Sequence, residues 1–237
     1  MQVIIHITNK RTFSLPLGYN YLLSSAIYSL LSLDSVLSSY IHDNGFAAGT
    51  GRHKLFTFSQ LKGDYHIEGK ELVVTGDLSF EVRSVSDRLM NVLKDSAFQR
   101  GTIRLGNNVL EIRMIEVYDR HLLEPQVTVR TLSPIAAAVS LDDKTIYYSP
   151  EDEEFLGVLQ NNLSNKFYAA YEQPAPMPFE AKLLNKPKKI VTRVKGIWVT
   201  AYHARLLLTA HPQAMDLLYN TGLGTKNSQG FGMFEPI

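Results

Sequence analysis

The chain has 237 residues, with 24 Lys and Arg against 23 Asp and Glu, seven His and no Cys. Apolar residues make up 45% and charged residues 20%, which is typical of a folded protein with a sizeable core. The absence of Cys excludes disulfides, Cys-ligated zinc, iron–sulfur clusters and a Cys nucleophile. No apolar run approaches the ~20 residues of a membrane helix, and the N-terminus lacks the apolar run of a signal peptide. We therefore expect a cytoplasmic protein without a membrane partner.

Hydrophobic patterning in the first half predicts a strand, a helix, several strands, a second helix and a strand. The predicted strands are 2–8, 54–60, 65–75, 78–83 and 109–118, the helices are 20–32 and 86–97, and a loop covers 43–53. A turn is expected at Gly76 and Asp77. In the first helix, a polar stripe at helical spacing carries Tyr21, Ser24, Ser25 and Tyr28.

The second half repeats this order of elements. Ser149 and Pro150 predict the start of a helix, with Ser as N-cap and Pro at the first helical position. The predicted strands are 126–132, 145–148, 179–184 and 190–209, and a last helix covers 212–220. Two successive β-α-β-β-α-β units predict an α+β fold of tandem ferredoxin-like (RRM-like) domains. We place the N-terminal domain at 1–122 and the C-terminal domain at 123–237.

One stretch of the C-terminal half is strongly basic. The net charge is only +1, so the protein as a whole does not attract nucleic acid electrostatically. Residues 182–195, however, carry six Lys and Arg and no acid. Such a stretch can bind phosphates locally, because charges are screened beyond ~8–10 Å. The alternative is a solvated strand edge or loop, which the charge run by itself favours. Three aromatic residues, Trp198, Tyr202 and Phe231, could stack on bases, although core packing is expected for most of them.

Residues 222–232 contain four glycines in eleven positions. No Gly-Lys-Ser/Thr closes the segment and no βαβ unit can follow it, so it is neither a P-loop nor a dinucleotide fingerprint. It predicts a flexible loop whose exposed amides, with Lys226, Asn227 and Ser228, can cradle a phosphodiester backbone. A glycine-rich turn before a terminal strand is an equal alternative.

His42 lies at a predicted helix end, and His53 and Lys54 follow eleven and twelve residues later. With a tyrosine such as Tyr28 they form a set for metal-free RNA cleavage, which needs proton transfer and a cation for the charge that develops on phosphorus. Histidine suits proton transfer because its pKa lies near about 6.5. The alternative, a surface histidine at a helix end, is favoured by spacing alone. The remaining histidines lack metal-ligand spacing, so we expect no metal site and no cofactor.

Several blocks together resemble the CRISPR repeat-processing endoribonucleases, the RAMP-superfamily enzymes that cut precursor CRISPR RNA within each repeat. The blocks are LPLGYNYLLSSAIY at 15–28, YIHDNGF at 40–46, KLFTFS at 54–59, LSPI at 132–135, AKLLNKPKK at 181–189 and the closing segment 222–233. The resemblance covers essentially the whole chain. The closing glycine motif is common to much of the superfamily, whereas the blocks around His42 and Lys54 are more specific to the processing enzymes.

The resemblance implies tandem ferredoxin-like domains and metal-independent cleavage by the RNA's own 2′-hydroxyl, which gives 2′,3′-cyclic phosphate and 5′-hydroxyl ends. It implies the catalytic residues Tyr28, His42 and Lys54, with His53 as a substitute for one role. The RNA-binding residues would be Lys182, Lys186, Lys188, Lys189, Arg193, Gly222, Gly224, Lys226, Asn227, Ser228, Gly230 and Gly232.

The predicted function is that of a CRISPR repeat-specific endoribonuclease. One alternative is a catalytically silent RAMP subunit that binds CRISPR RNA in an effector complex, and another is a ferredoxin-like small-molecule or regulatory domain. The presence of His42 with Lys54 favours the enzyme, and the basic stretch favours both RNA-binding alternatives over the third. The expected partner is CRISPR repeat RNA, single-stranded or as a stem-loop. The sequence leaves open whether the protein forms a homodimer or joins effector-complex subunits.

Overall fold

A computed structural model describes residues 1–34, 46–48, 51–142 and 144–237. Its helices are α1 (Asn20–Leu31), α2 (Asp87–Arg100), α3 (Glu154–Tyr171) and α4 (Pro212–Thr221), with a 3-10 turn at Asn227–Gln229. The strands are β1 (Gln2–Thr8), β2 (Phe13–Pro16), β3 (Phe46–Ala48), β4 (Gly51–His53), β5 (Phe56–Phe58), β6 (Lys62–Glu68), β7 (Glu71–Ser84), β8 (Thr102–Leu105), β9 (Asn108–Tyr118), β10 (Gln126–Thr131), β11 (Ala137–Leu141), β12 (Lys144–Tyr148), β13 (Glu180–Leu183), β14 (Lys188–Val194), β15 (Ile197–His203), β16 (Arg205–Thr209) and β17 (Phe234–Pro236). Within these ranges no helix combines the length and apolarity needed to cross a membrane.

The N-terminal sheet is antiparallel and has β1 between β7 and β9. β5 and β6 pair with the edge of β7 that faces away from β1, and β8 pairs with β9. The order is therefore β5/β6, β7, β1, β9, with α1 after β1 and α2 after β7, as in a ferredoxin-like unit. Apolar side chains of the sheet and both helices form its core, among them Val3, Ile5, Leu23, Ile27, Phe80 and Leu93.

The C-terminal sheet has the order β13, β16, β10, β17 and repeats this arrangement. Helix α3 follows β10 and helix α4 follows β16, and their apolar faces cover a second core that includes Leu163, Phe167, Leu206, Leu208 and Met215. The predicted α+β fold of tandem ferredoxin-like domains is confirmed. The domain boundaries at 1–122 and 123–237 stay a prediction.

The expected turn at Gly76 and Asp77 is wrong. Strand β7 runs through both residues, and the chain reverses after β6 at Gly69, which has a φ of +59°. A Cβ at Gly76 would lie 2.6 Å from a carboxylate oxygen of Asp64, where the pairing of β6 with β7 is irregular. Gly76 therefore lies where β6 approaches β7 closely inside the sheet, and not in a turn.

The expected helix start at Ser149 is also wrong, because α3 begins at Glu154. Residues 149–152 form a turn of their own. The Ser149 N–H donates to the Asp152 carboxylate at 2.7 Å, and the Asp152 N–H donates to the Ser149 carbonyl at 3.0 Å. Ser and Asp close local turns with the same hydrogen bonds that cap helices. In addition, part of the loop expected over 43–53 is a short hairpin of β3 and β4.

A buried arginine on β7 contacts both halves of the chain. Arg83, on β7, donates from Nε to the Glu81 carboxylate at 2.6 Å and from Nη1 to the Phe234 carbonyl at 2.7 Å. Its guanidinium also lies 4.0 Å from the centroid of the Tyr219 ring. Arg83 is only 2% exposed. This face of the N-terminal sheet therefore packs on the C-terminal half of the chain.

Candidate active site and RNA-binding surface

Tyr28 and Lys54 lie together where α1 meets β5. The Lys54 ammonium is 4.9 Å from the centroid of the Tyr28 ring, within the range of a cation–π contact. Phe56, the first residue of β5, contacts the same ring edge-on, with 5.8 Å between the ring centroids. Tyr28 and Lys54 are only partly buried.

His42, the third member of the predicted triad, lies outside the described residues. The alternative histidine, His53, ends β4 and is partly buried. Its Nε2 atom is buried, and none of the described residues gives it a hydrogen bond. Burial, helped by the positive charge of Lys166, lowers the pKa of His53 to about 4. At pH 7 its imidazole is therefore neutral and cannot donate a proton, and the low pKa also makes it a weak proton acceptor.

Lys166 lies on the core side of α3 and is 3% exposed. Its ammonium donates to the carbonyl oxygens of Thr221, Gly222 and Gly224, at 3.4, 2.7 and 3.3 Å. These carbonyls lie at the C-terminal end of α4 or just beyond it, where the helix dipole favours a cation. Burial lowers the pKa of Lys166 to about 7. The lysine thus holds the beginning of the glycine-rich segment in place.

The glycine-rich segment 222–232 is packed and largely buried, which corrects the expectation of a flexible loop with exposed amides. Asn227 Nδ2 donates to the carbonyls of Leu223 and Phe231, at 3.0 and 2.9 Å. Gly232 has a φ of +78°, and a Cβ there would clash with the Leu223 carbonyl, so this turn requires glycine. The predicted RNA contacts of the segment stay a prediction for Gly222, Gly224, Lys226, Asn227, Ser228, Gly230 and Gly232.

Two side chains of α1 tie this helix to the glycine-rich segment. Asn20 Nδ2 donates to the Gly230 carbonyl at 3.0 Å, and the Ser24 hydroxyl donates to the Ser228 carbonyl at 3.0 Å. Ser24 and Tyr28 are one helical turn apart on α1. The segment therefore also fixes the part of the helix that carries Tyr28.

The five predicted RNA-binding residues outside this segment are all exposed: Lys182, Lys186, Lys188, Lys189 and Arg193. Lys182 lies on β13, an edge strand of the C-terminal sheet. The last three lie on β14, which forms a two-stranded hairpin with β15. Their exposure agrees with RNA contact and equally with a solvated edge, so the contact stays a prediction.

The three aromatic candidates differ in their surroundings. Core packing, expected for most of them, is found for Phe231, which is buried against Val199 and Ala201. Tyr202 is partly buried. Trp198 is 64% exposed and is not a core residue.

Lys166 and Arg83 are buried charged residues that are not among the candidates predicted from the sequence. The signal for Lys166 is its spacing after Leu159 and Leu163, which places it on the apolar stripe of α3. Arg83 alternates with apolar residues of β7, a pattern that usually predicts a solvent-facing side chain. Only contact with the C-terminal half explains its burial.

Among solved structures, that of an RAMP protein binding different RNA substrates superposes on this chain with a TM-score of 0.84. The two share 19% sequence identity, and the alignment covers 100% of this chain and 99% of that chain. The superposition shows that the two proteins share one fold, two ferredoxin-like domains in tandem.

Comparison with curated proteins gives the family. Residues 119–236 match the family model for CRISPR associated protein Cas6, C-terminal. The CRISPR-associated endoribonuclease Cas6 of Pyrococcus furiosus is 30% identical over 239 residues, covering 95% of this chain and 84% of that protein. The CRISPR-associated endoribonuclease Cas6 1 of Methanocaldococcus jannaschii is 25% identical over 242 residues, covering 98% and 91%. The chain belongs to the Cas6 family, and the family resemblance of its sequence is confirmed.

Proposed function

We propose that this protein cleaves precursor CRISPR RNA within the repeat, with the RNA's own 2′-hydroxyl as the nucleophile. Two Cas6 endoribonucleases among the relatives support the reaction class and the substrate. The structural observation that carries the mechanism is the Lys54 ammonium beside the Tyr28 ring. Both residues belong to the catalytic set that the sequence resemblance implies, together with His42.

In this reaction the 2′-oxygen attacks the adjacent phosphorus, and the bond from phosphorus to the 5′-oxygen breaks. One proton leaves the 2′-hydroxyl and one is delivered to the departing 5′-oxygen, so the ends are a 2′,3′-cyclic phosphate and a 5′-hydroxyl. His42 takes part in proton transfer, Lys54 stabilises the negative charge on the phosphorane, and Tyr28 orients the reacting groups or shares a proton. Because the nucleophile is part of the RNA, no metal-bound hydroxide is required.

Exposed basic residues would bind the RNA backbone through its phosphates, which give affinity without sequence choice. The residues proposed for this role are Lys182, Lys186, Lys188, Lys189, Arg193, Lys226 and Ser228. In the glycine-rich segment, Asn227 and the glycines would set the backbone shape that presents Lys226 and Ser228. A homodimer and association with effector-complex subunits stay predictions.

The experiment uses the repeat RNA of the neighbouring CRISPR array, with the protein in excess EDTA. We expect cleavage to persist, and we expect a single 2′-deoxy substitution just upstream of the cut phosphate to abolish it with little change in affinity. Mass spectrometry should show an upstream fragment lighter by one water than the hydrolysed end. Cleavage of the deoxy-substituted repeat, or strict dependence on magnesium, would contradict the mechanism. RNA that is bound and never cut would assign the protein to the silent RNA-binding subunits.

A further inference from the structure

Trp198 is the chain's single tryptophan, and it is exposed on the β14–β15 hairpin. Its exposed fraction is 64%, whereas tryptophan is on average a highly buried residue. The catalytic proposal gives this side chain no role. An exposed indole ring is therefore a candidate for contact with another molecule.

Arg193 lies directly opposite Trp198 in the hairpin register. Its guanidinium is 5.9 Å from the centroid of the indole ring, at the outer limit of a cation–π contact. The Arg193 Nε–H also donates to the Gly196 carbonyl at 3.0 Å, in the turn of the hairpin. This hydrogen bond holds the guanidinium beside the ring.

The two faces of the hairpin differ in character. Val194, Val199 and Ala201 are buried on one face, where they pack with Phe231. Because side chains alternate along a strand, Arg193 and Trp198 share the opposite face. Further along, that face carries Lys189 opposite Tyr202 and Val191 opposite Thr200. The exposed face is thus aromatic and basic.

The hairpin lies next to the N-terminal end of α1. A Cβ at Gly18 would lie 3.1 Å from Thr192 Oγ1 and 3.2 Å from the Arg193 carbonyl oxygen. Along α1, Tyr28 is eight residues beyond Asn20, or about 12 Å at the rise of a helix. The hairpin therefore lies beside the helix that carries Tyr28.

We propose that Trp198, flanked by Arg193, is a stacking platform for an unpaired base of the bound RNA. This inference rests on the proposed function and adds a substrate contact away from the cleaved bond. The base stacks on the indole, and the neighbouring phosphates pair with Lys189 and Arg193. Every base has a π-face, so such a platform contributes affinity with little sequence choice.

A protein partner is the other class of molecule that an exposed aromatic face could bind. The charge of the hairpin favours RNA, because residues 188–203 contain four Lys and Arg side chains and no Asp or Glu. A positively charged surface with an exposed aromatic ring is suited to RNA, which offers negative phosphates and bases that can stack.

The single tryptophan makes the test direct, since all tryptophan fluorescence comes from position 198. The parent protein is titrated with a repeat RNA carrying a 2′-deoxy nucleotide at the cut site, which binds without being cleaved. We expect this RNA to quench the emission. Inorganic polyphosphate, which offers phosphates and no bases, should compete for the basic surface and leave the emission nearly unchanged.

Variants then measure the contribution of the ring. Trp198→Leu should weaken repeat binding by roughly ten-fold or more, the range of one lost base stack, whereas Trp198→Phe should stay within a few-fold of the parent. The single-turnover cleavage rate at saturating RNA should be unchanged in both. Phe98→Leu is the matched control, because Phe98 is 81% exposed on α2, and it should bind like the parent.

Unchanged emission on RNA binding, or parental affinity in Trp198→Leu, would overturn the platform and leave the proposed function intact. Parental affinity combined with a changed oligomeric state of Trp198→Leu in sedimentation would assign the face to a protein contact. A parent protein that neither binds nor cleaves the repeat would refute both proposals.

Discussion

The ammonium of Lys166 lies 2.7 Å from the carbonyl oxygen of Gly222, and this contact joins α3 to the glycine-rich segment. Burial lowers the pKa of this lysine from 10.5 to about 7. Because the folded pKa is the lower one, the unfolded chain binds more protons between about pH 7 and 10.5. The contribution of Lys166 to the free energy of unfolding therefore rises with pH across that window.

Lys166→Met removes the ammonium and keeps a side chain of similar length. It tests whether the contribution of Lys166 to the free energy of unfolding depends on pH. We expect the stability of the parent to rise relative to that of the variant from about pH 7 upwards, since only the parent loses a buried charge. Urea denaturation at steps between about pH 6 and about pH 9.5 measures the difference. The exposed lysine of β13 provides the control, Lys182→Met, which should show no such trend. A parent–Lys166→Met difference that is constant with pH would contradict the lowered pKa.

Lys54→Met should reduce the rate of cleavage and leave RNA affinity within a few-fold of the parent. Loss of one group that stabilises transition-state charge typically costs ~10²–10³ in rate. Lys54→Arg keeps the cation and should retain more activity than Lys54→Met. Single-turnover kinetics at saturating repeat RNA separates rate from affinity, and Lys62→Met, at an exposed lysine of β6, is the control. A parental rate in Lys54→Met would remove this lysine from the mechanism.

The sequence predicted the fold well because both halves show their strand and helix periodicities clearly. One error occurs where long-range strand pairing overrides a local signal, and the other occurs where a local turn takes the place of a helix start. Gly76 and Asp77 form a turn-like pair, yet they lie inside β7, because β6 pairs with this strand on both sides of them, at 71–74 and at 78–79. Ser149 and Pro150 have the composition of a helix start, yet Ser149 closes a separate turn with Asp152.

The candidate site was predictable to the extent that it depends on motifs. The structure brings Tyr28 and Lys54 together although 26 positions separate them. The role of Lys166 could not be predicted in the same way, because its partners are backbone carbonyls that no side-chain pattern reveals. The exposure of Trp198 likewise depends on which face of the hairpin is covered by Phe231.

His42→Ala and His53→Ala distinguish the two candidate histidines. We expect His42→Ala to reduce cleavage by ~10²–10⁴, the usual contribution of positioned proton transfer, with little loss of repeat binding. The pKa of His53 is lowered to about 4, so at pH 7 this side chain is neither a proton donor nor a strong proton acceptor, and His53→Ala should have a much smaller effect. Single-turnover rates beside gel-shift titrations provide the comparison. A larger loss of cleavage rate in His53→Ala than in His42→Ala would assign the catalytic role to His53.

Arg83→Met should destabilise the fold by about 3–5 kcal/mol, because it leaves the buried Glu81 carboxylate without its partner. The double variant Arg83→Met/Glu81→Gln removes both charges and should recover part of the loss. Urea denaturation gives the free energies of unfolding. If the loss in free energy of unfolding of the double variant equalled the sum of the losses of the two single variants, the ion pair would not be the source of the effect.

The basic segment is tested through the salt dependence of RNA binding. Replacing Lys186, Lys188 and Lys189 together with Ala should weaken repeat binding and flatten the plot of log affinity against log salt concentration. Each lost phosphate contact to a single strand removes roughly 0.7 from that slope, so the expected change is roughly 2. The matched control replaces three exposed lysines of the N-terminal half, Lys10, Lys62 and Lys70, and changes the net charge equally. A slope that changes by the same amount in both triple variants would indicate a general charge effect, and an unchanged slope in the first would show that its lysines face solvent in the complex.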